Sequence, residues 1–263
     1  MEPLHIVKIG GRVIEDAGAM APFLEQFAGI PGKKILVHGG GKSATTLAEQ
    51  LGVQVRMVDG RRITDADMLR VVTMVYGGLV NKTVVARLQA IGCNALGLTG
   101  ADADLIAAHR REVNEIDYGF VGDIDEVRSE PLIGFLSQDL TPVLAPLTHD
   151  GRGNLLNTNA DTIAAMVAAA LAASYEVQLV YCFEKPGVLE DVEDEHSVIP
   201  VLPRDRYRAL QRSGQIARGM IPKLDTGYLA LEKGVAFVYI SHAANLGALL
   251  AGEQPHTGTR LTV

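Results

Sequence analysis

Cysteine is nearly absent from this chain. Cys93 and Cys182 are the whole complement, far apart inside apolar runs and with no metal-ligand spacing. That excludes a disulfide framework, and both side chains read as core thiols of a cytoplasmic protein. A membrane span needs about 18 uncharged apolar residues, and no such run is present. Ile163 to Ala173 is apolar but short, alanine-rich and flanked by polar residues, which predicts a buried helix. The opening Met1-Glu2-Pro3 has no basic stretch and runs directly into a strand pattern, so no secretion signal is expected. Positive charge is also in deficit. With 24 Lys and Arg against 31 Asp and Glu, the formal net charge of −7 argues against a nucleic-acid partner. Any phosphate site must therefore be built from a few local cations and backbone N–H groups, against the overall field. The chain has no internal repeat, low-complexity linker or Pro/Gly-rich hinge, and its seven histidines form no H-E-x-x-H or clustered pattern.

What is present is an alternation. The expected strands are His5 to Ile9, Lys34 to Val37, Asn94 to Leu98, Pro142 to Leu147, Val177 to Tyr181 and Val235 to Ile240. Several are continuous apolar runs, as strands covered on both faces are. Between them the expected helices are Ala19 to Phe27, Ser43 to Leu51, Asp65 to Ala90, Asp161 to Ala172, Arg204 to Ser213 and Lys223 to Lys233. This order predicts an α/β fold with a mainly parallel sheet between helix layers. Tyr118 to Gly122 and the acidic stretch Glu190 to His196 are expected to be inserted hairpins, the latter solvated rather than metal-binding. In the longest helix, Thr64 is the expected cap, while Gly77-Gly78 costs roughly 1 kcal/mol per glycine relative to alanine. A kinked core helix or a close helix crossing at a subunit interface would each account for that pair.

Two strand ends carry glycine clusters, Lys8-Ile9-Gly10-Gly11 and His38-Gly39-Gly40-Gly41-Lys42-Ser43. Successive glycines let backbone N–H groups turn toward an anion without side-chain obstruction, and a helix starting near Ser43 adds donors and a favourable dipole. Two such loops at neighbouring strand ends favour a phosphate or carboxylate site over tight turns alone. His38 is expected to pack against or cap its loop. Gly41-Lys42-Ser43 imitates the end of a P-loop but fails, because Leu36 stands where another glycine is needed. Gly39, Gly41, Ala44 and Asp59 fit a dinucleotide-binding fingerprint, which keeps open a Rossmann-type oxidoreductase. That reading leaves Lys8, Asp161 and Lys223 without a task.

Taken in order, six segments resemble the amino acid kinase family over nearly the whole chain, in particular its branch acting on N-acylated glutamate. Lys8-Ile9-Gly10-Gly11 is similar to the family's opening Lys-x-Gly-Gly, and His38 to Gly41 to its second glycine loop. Gly60 to Thr64 resembles the segment whose arginine binds the substrate's α-carboxylate. Asn157-Thr158-Asn159-Ala160-Asp161 resembles the N-x-N-A-D stretch, and Gly219 to Lys223 the G-M-x-x-K that supplies a second lysine. Gly258-Thr259-Arg260 is similar to the closing G-T-x. Where the family has a Ser/Thr-Asp pair, this chain reads Phe183-Glu184 ahead of Gly187-Val188-Leu189. That variation touches the nucleotide loop and leaves an N-succinyl acceptor open beside N-acetyl.

The resemblance implies a three-layer αβα sandwich on one continuous sheet, with residues 1–175 forming the lobe for the acyl amino acid and for dimerisation. Residues 176–263 would form the lobe for ATP. It implies ATP- and Mg²⁺-dependent phosphorylation of a γ-carboxylate, giving an acyl phosphate for arginine biosynthesis. Lys8 and Lys223 would stabilise charge on the transferred and leaving phosphates, with Asp161 holding both ammonium groups. Gly40, Gly41, Arg62 and Asn157 would bind the amino-acid substrate; Gly10, Gly11, Gly39, Glu184 and Gly187 would line the nucleotide site. No protein-built metal site is expected. A homodimer joined across the Asp65 to Ala90 helix is expected, and insensitivity to arginine, since the strand pattern begins by His5.

Overall fold

Strands that are apolar throughout must be covered on both faces, and the alternation of side chains decides which cover each residue meets. The computed structural model describes every residue except 59, 217–218 and 252–257, and all side chains but those of residues 12 and 17 as well. In chain order the strands are β1 (Pro3–Ile9), β2 (Lys33–His38), β3 (Met57–Val58), β4 (Arg61–Arg62), β5 (Ala95–Leu98), β6 (Ile106–Arg110) and β7 (Gly122–Val127). They continue with β8 (Thr141–Leu144), β9 (Leu147–His149), β10 (Leu155–Asn157), β11 (Glu176–Phe183), β12 (Val201–Pro203), β13 (Phe237–His242) and β14 (Gly258–Thr262).

Eight of them form the main sheet in the order β12-β14-β13-β11-β1-β2-β8-β5. β1 pairs in parallel with β2 and with β11, and the β13–β14 pair is antiparallel. Leu4 and Ile6 of β1, Ile35 and Val37 of β2, and Leu179 and Tyr181 of β11 enter one core with Ile163, Val167 and Leu224. The intervening Val7, Ile9, Leu36, Val180 and Cys182 enter the other, with Phe23, Phe27, Val72 and Leu246. Helices Ala160–Leu171 and Ile221–Glu232 therefore cover one face, and Ala17–Gly29 and Leu246–Ala251 the other. This is the expected three-layer αβα sandwich. Both cysteines are buried and free.

Several expectations need correction. Pro142 to Leu147 is not one strand: β8 ends at Leu144, and β9 begins at Leu147 in a second, four-stranded sheet ordered β10-β9-β6-β7. Pro146 lies at the crossing and has no N–H to continue a ladder. The 65–90 helix is three segments, α-helical at Ala66–Val72 and Asn81–Ala90 with a π-helical stretch at Thr73–Val80 between them. Gly77 lies in that stretch, where an added Cβ would stand 3.4 Å from Leu147 Cδ1, so β9 packs closely there. Gly78 faces open space. The cap of this helix is Asp65, whose carboxylate accepts from the Met68 N–H at 2.9 Å, and not Thr64. Thr64 instead bonds back to the Arg62 carbonyl at 3.2 Å and is committed to the site described next.

Candidate active site

Parallel strands β1, β2 and β11 end side by side at Ile9, His38 and Phe183, and the chain leaves them in different directions. Such a point on an α/β sheet opens a crevice beyond the carboxyl ends of the strands. Both glycine loops lie there. They meet backbone to backbone: a Cβ on Gly39 would stand 3.4 Å from the Gly11 nitrogen, and one on Gly11 would stand 3.7 Å from those of Gly40 and Gly41. Gly40 has φ 153°, a left-handed value that favours glycine, and a side chain there would press on the Tyr76 ring at 3.0 Å. The Gly39 N–H donates to the Ile9 carbonyl at 3.2 Å and the Gly10 N–H to Cys182's at 3.1 Å, fixing each loop to its neighbouring strand end.

His38 does tie down its loop. Its Nδ1 is 2.7 Å from the Gly39 carbonyl, and the Asn81 amide nitrogen lies 3.1 Å from Nε2. That pattern requires the neutral ring with its proton on Nδ1, and burial pushes its pKa down to about 4. The second loop runs straight into the helix Gly41–Gln50, two residues earlier than the sequence suggested. A residue that spacing could not reveal serves this helix start. Glu15 Oε1 accepts from the Ser43 N–H at 2.5 Å and from its hydroxyl at 2.9 Å, placing a carboxylate at the positive helix end.

Asp161 occupies the first turn of Ala160–Leu171, which Asn159 caps by accepting from the Asp161 and Thr162 N–H groups. Its carboxylate lies 2.8 Å from Lys8 Nζ and 3.0 Å from Lys223 Nζ, one lysine to each oxygen. Asp161 is 4% exposed and Lys8 7%. Burial alone would raise the Asp161 pKa, but the two ammonium groups outweigh it and hold the carboxyl at about 2. Burial pulls Lys8 below the ordinary lysine range, with Asp161 resisting and Lys223 adding to the fall. Two ammonium charges against one carboxylate leave the array with one unit of positive charge. A net negative protein thus keeps local positive charge beside its glycine loops.

Lys8, Gly10, Gly11, Glu184, Gly187 and Lys223 line a single cleft of about 410 Å³, with apolar walls from Val188, Leu189, Val192, Ile216 and Met220. Glu184 is exposed at that cleft. Gly187 is packed against the last strand, with no room for a Cβ beside Thr259 Oγ1 at 2.7 Å. Arg62 stands on the other side of the second loop. Its guanidinium donates to the Gly41 carbonyl at 2.7 Å and to the Thr45 hydroxyl at 2.8 Å, and it is nearly buried. Asn157 does not touch the lysines; its amide donates to Thr64 Oγ1 at 2.9 Å, which ties it to the Arg62 segment. The acidic stretch forms an exposed turn closed by the Leu189↔Val198 bridge. Among the described residues no group of three or more His, Cys, Asp or Glu is gathered as cation ligands.

Positive charge and two glycine loops beside a cleft with apolar walls make this an α/β protein equipped to take an anion that carries an apolar part. Comparison with known proteins gives the family: the chain belongs to the amino acid kinase family, whose model matches residues 3–242. It is 53% identical over 262 residues to an acetylglutamate kinase of Cytophaga hutchinsonii, covering 99% of each chain. It is 54% identical to another of Parabacteroides distasonis, over 94% of this chain and 96% of that one. Among solved structures, a Streptococcus mutans protein superposes with TM-score 0.79 at 28% identity, over 98% of both chains. Membership replaces the dinucleotide-binding reading of Gly39, Gly41 and Ala44. Asp59, on which that reading also leaned, lies outside the described residues.

Proposed function

We propose that the protein transfers the γ-phosphoryl group of ATP to the γ-carboxylate of N-acetyl-L-glutamate, forming an acyl phosphate for arginine biosynthesis in the cytoplasm. The Lys8–Asp161–Lys223 array at the two glycine loops carries this reading, supported by relatives of that activity above half identity. A carboxylate is ionised at neutral pH and needs no general base. The difficulty is bringing one anion against another while charge moves toward the leaving phosphate, so catalysis consists of positioning and charge stabilisation. Lys8 would serve the transferred group and Lys223 the leaving side, with Asp161 fixing both. The N–H group of Gly11 would face the nucleotide phosphates and those of Gly40 and Gly41 the acceptor, while Gly10 and Gly39, whose own N–H groups hold the loops to the strand ends, would let the phosphates approach the backbone closely. ATP would enter as its Mg²⁺ complex, the ion held through phosphate oxygens and water.

The division of labour follows the sheet. Strands β11 to β14 make one half and β1, β2, β5 and β8 the other. We assign the nucleotide to residues 176–263, whose Glu184 and Gly187 line the cleft, and the acyl amino acid to residues 1–175. Arg62 offers a planar fork for the α-carboxylate, and Asn157 an amide for the acyl group or carboxylate. Hydroxylamine trapping tests the reaction: a hydroxamate should form with N-acetylglutamate, ATP and Mg²⁺, and faster than with N-succinylglutamate, glutamate or aspartate. No hydroxamate from any N-acylglutamate would refute the proposal.

Arg62→Ala should raise the KM for N-acetylglutamate by about 10-fold or more and change kcat little, because the contact exists in ground and transition states alike. Steady-state kinetics in both substrates checks this, and an unchanged KM would remove Arg62 from the acceptor site. We also propose a homodimer across the 66–90 segment. Met74 is 51% exposed and Leu79 62%, on either side of Gly78, which has open space above it. Apolar side chains grouped around a bare glycine suit a close helix crossing. Leu79→Glu should convert the dimer to monomer in sedimentation velocity; a wild-type monomer would refute this contact.

A further inference from the structure

Tyr181 spans the gap between the helices that carry Asp161 and Lys223. It lies in β11 with no exposed surface, and its ring packs against the helix Ile221–Glu232, 3.7 Å from where a Cβ on Gly227 would stand. Its hydroxyl is 3.2 Å from the Asp161 carbonyl oxygen and 3.0 Å from Thr226 Oγ1, sharing one proton between the two acceptors. Thr226 in turn donates to the Pro222 carbonyl at 2.9 Å, one turn back, and lies 3.1 Å from that of Lys223. A phenylalanine would fill the same core. A hydroxyl buried there costs stability unless it is bonded, so its bonds deserve an account. The helix it reaches has no side-chain cap at Met220, leaving the turn around Lys223 without that anchor. Burial, with Asp161 nearby, pushes the Tyr181 hydroxyl above its ordinary range, so it stays a protonated donor.

We infer that Tyr181 is a positioning residue: through Thr226 and the Asp161 carbonyl, its hydroxyl sets the separation of two helix starts and so the place of the Lys223 ammonium at the cleft. The inference rests on the roles proposed above for Asp161 and Lys223. A displacement of about 1 Å in a group that stabilises charge can cost up to about 100-fold in rate without disturbing substrate binding elsewhere.

The test measures hydroxamate formation by wild type, Lys223→Ala, Tyr181→Phe, Thr226→Val, Thr226→Ser and the Phe/Val double variant, with melting temperatures alongside. Tyr181→Phe and Thr226→Val should each lower kcat about tenfold while leaving the KM for N-acetylglutamate within twofold. Thr226→Ser, which keeps the hydroxyl, should stay near wild type, and the double variant should be little worse than either single one, since both break one link. If both single variants melt lower yet keep kcat within twofold, Tyr181 only stabilises the fold and the inference is overturned. Additive losses, or Thr226→Ser as slow as Thr226→Val, overturn it too. An unimpaired Lys223→Ala would instead bring down the proposed site itself, which separates the two failures. Should Tyr181→Phe not fold, the Thr226 pair decides alone.

Discussion

Lys223→Ala is expected to lower kcat by about 10²–10³, and Lys8→Ala by a similar factor, the scale for losing one preorganised charge-stabilising donor. The two substitutions differ in what they leave behind. Lys8 lies in the middle of the sheet, between Tyr181 of β11 and Val37 of β2, and is almost fully buried. Its loss removes the partner of Asp161 Oδ1 as well as a phosphate contact, so stability should fall along with rate. Lys223 stands at the start of an outer helix and is more accessible, so its loss should spare the melting temperature. Both changes should leave the KM for N-acetylglutamate nearly unaltered, since Arg62 and Asn157 are fixed by Gly41, Thr45 and Thr64 rather than by either lysine. Single-turnover measurements at saturating substrates separate the chemical step from release. A loss below about fivefold in both variants would show that neither ammonium group serves the developing charge.

The parts of this architecture that the sequence exposed are those where one residue type answers one physical demand. Strands buried on both faces announce themselves as unbroken apolar runs, and β1, β2 and β11 were placed to within two residues of their ends. Glycine clusters after strands announce backbone approach, and both loops do meet. What stayed hidden depends on partners remote in sequence. β6, β7 and β10 are short and partly polar, because they form a small sheet with much surface, and nothing in their composition separates them from loops. The π-helical stretch, along which Gly77 packs against Leu147, corresponds to no local propensity. Thr64 and Asp65 are both good caps, and tertiary demand on Thr64 from Asn157 decided between them. Glu15 reaches a helix start 28 residues away, and Tyr181 looks like any apolar strand residue until its hydroxyl is placed.

The second large effect is expected at Asp161. In Asp161→Asn the side chain keeps its shape but loses its charge, leaving two ammonium groups facing each other with no counter-charge between them. Unpairing a buried charge in this way costs about 3 kcal/mol. Activity should fall with it, because the two lysines lose the group that sets their separation. The pH dependence separates this cause from simple misfit. The Asp161 carboxyl is lowered from 3.8 to about 2 in the folded protein, so its charged form favours folding. A depressed carboxyl contributes stability that is fully present above its unfolded pKa and disappears as pH falls through the folded value. The window is therefore from about pH 4 down to about pH 2, and the shift corresponds to roughly 2 kcal/mol. Urea unfolding of wild type and Asp161→Asn should show a wide gap in stability from pH 7 to pH 4. The gap should then narrow toward pH 2, as protonation makes the wild-type side chain neutral as well. A gap that remained constant between pH 4 and pH 2, or an asparagine variant as stable as wild type at pH 7, would mean that the carboxylate is not what holds the two lysines together.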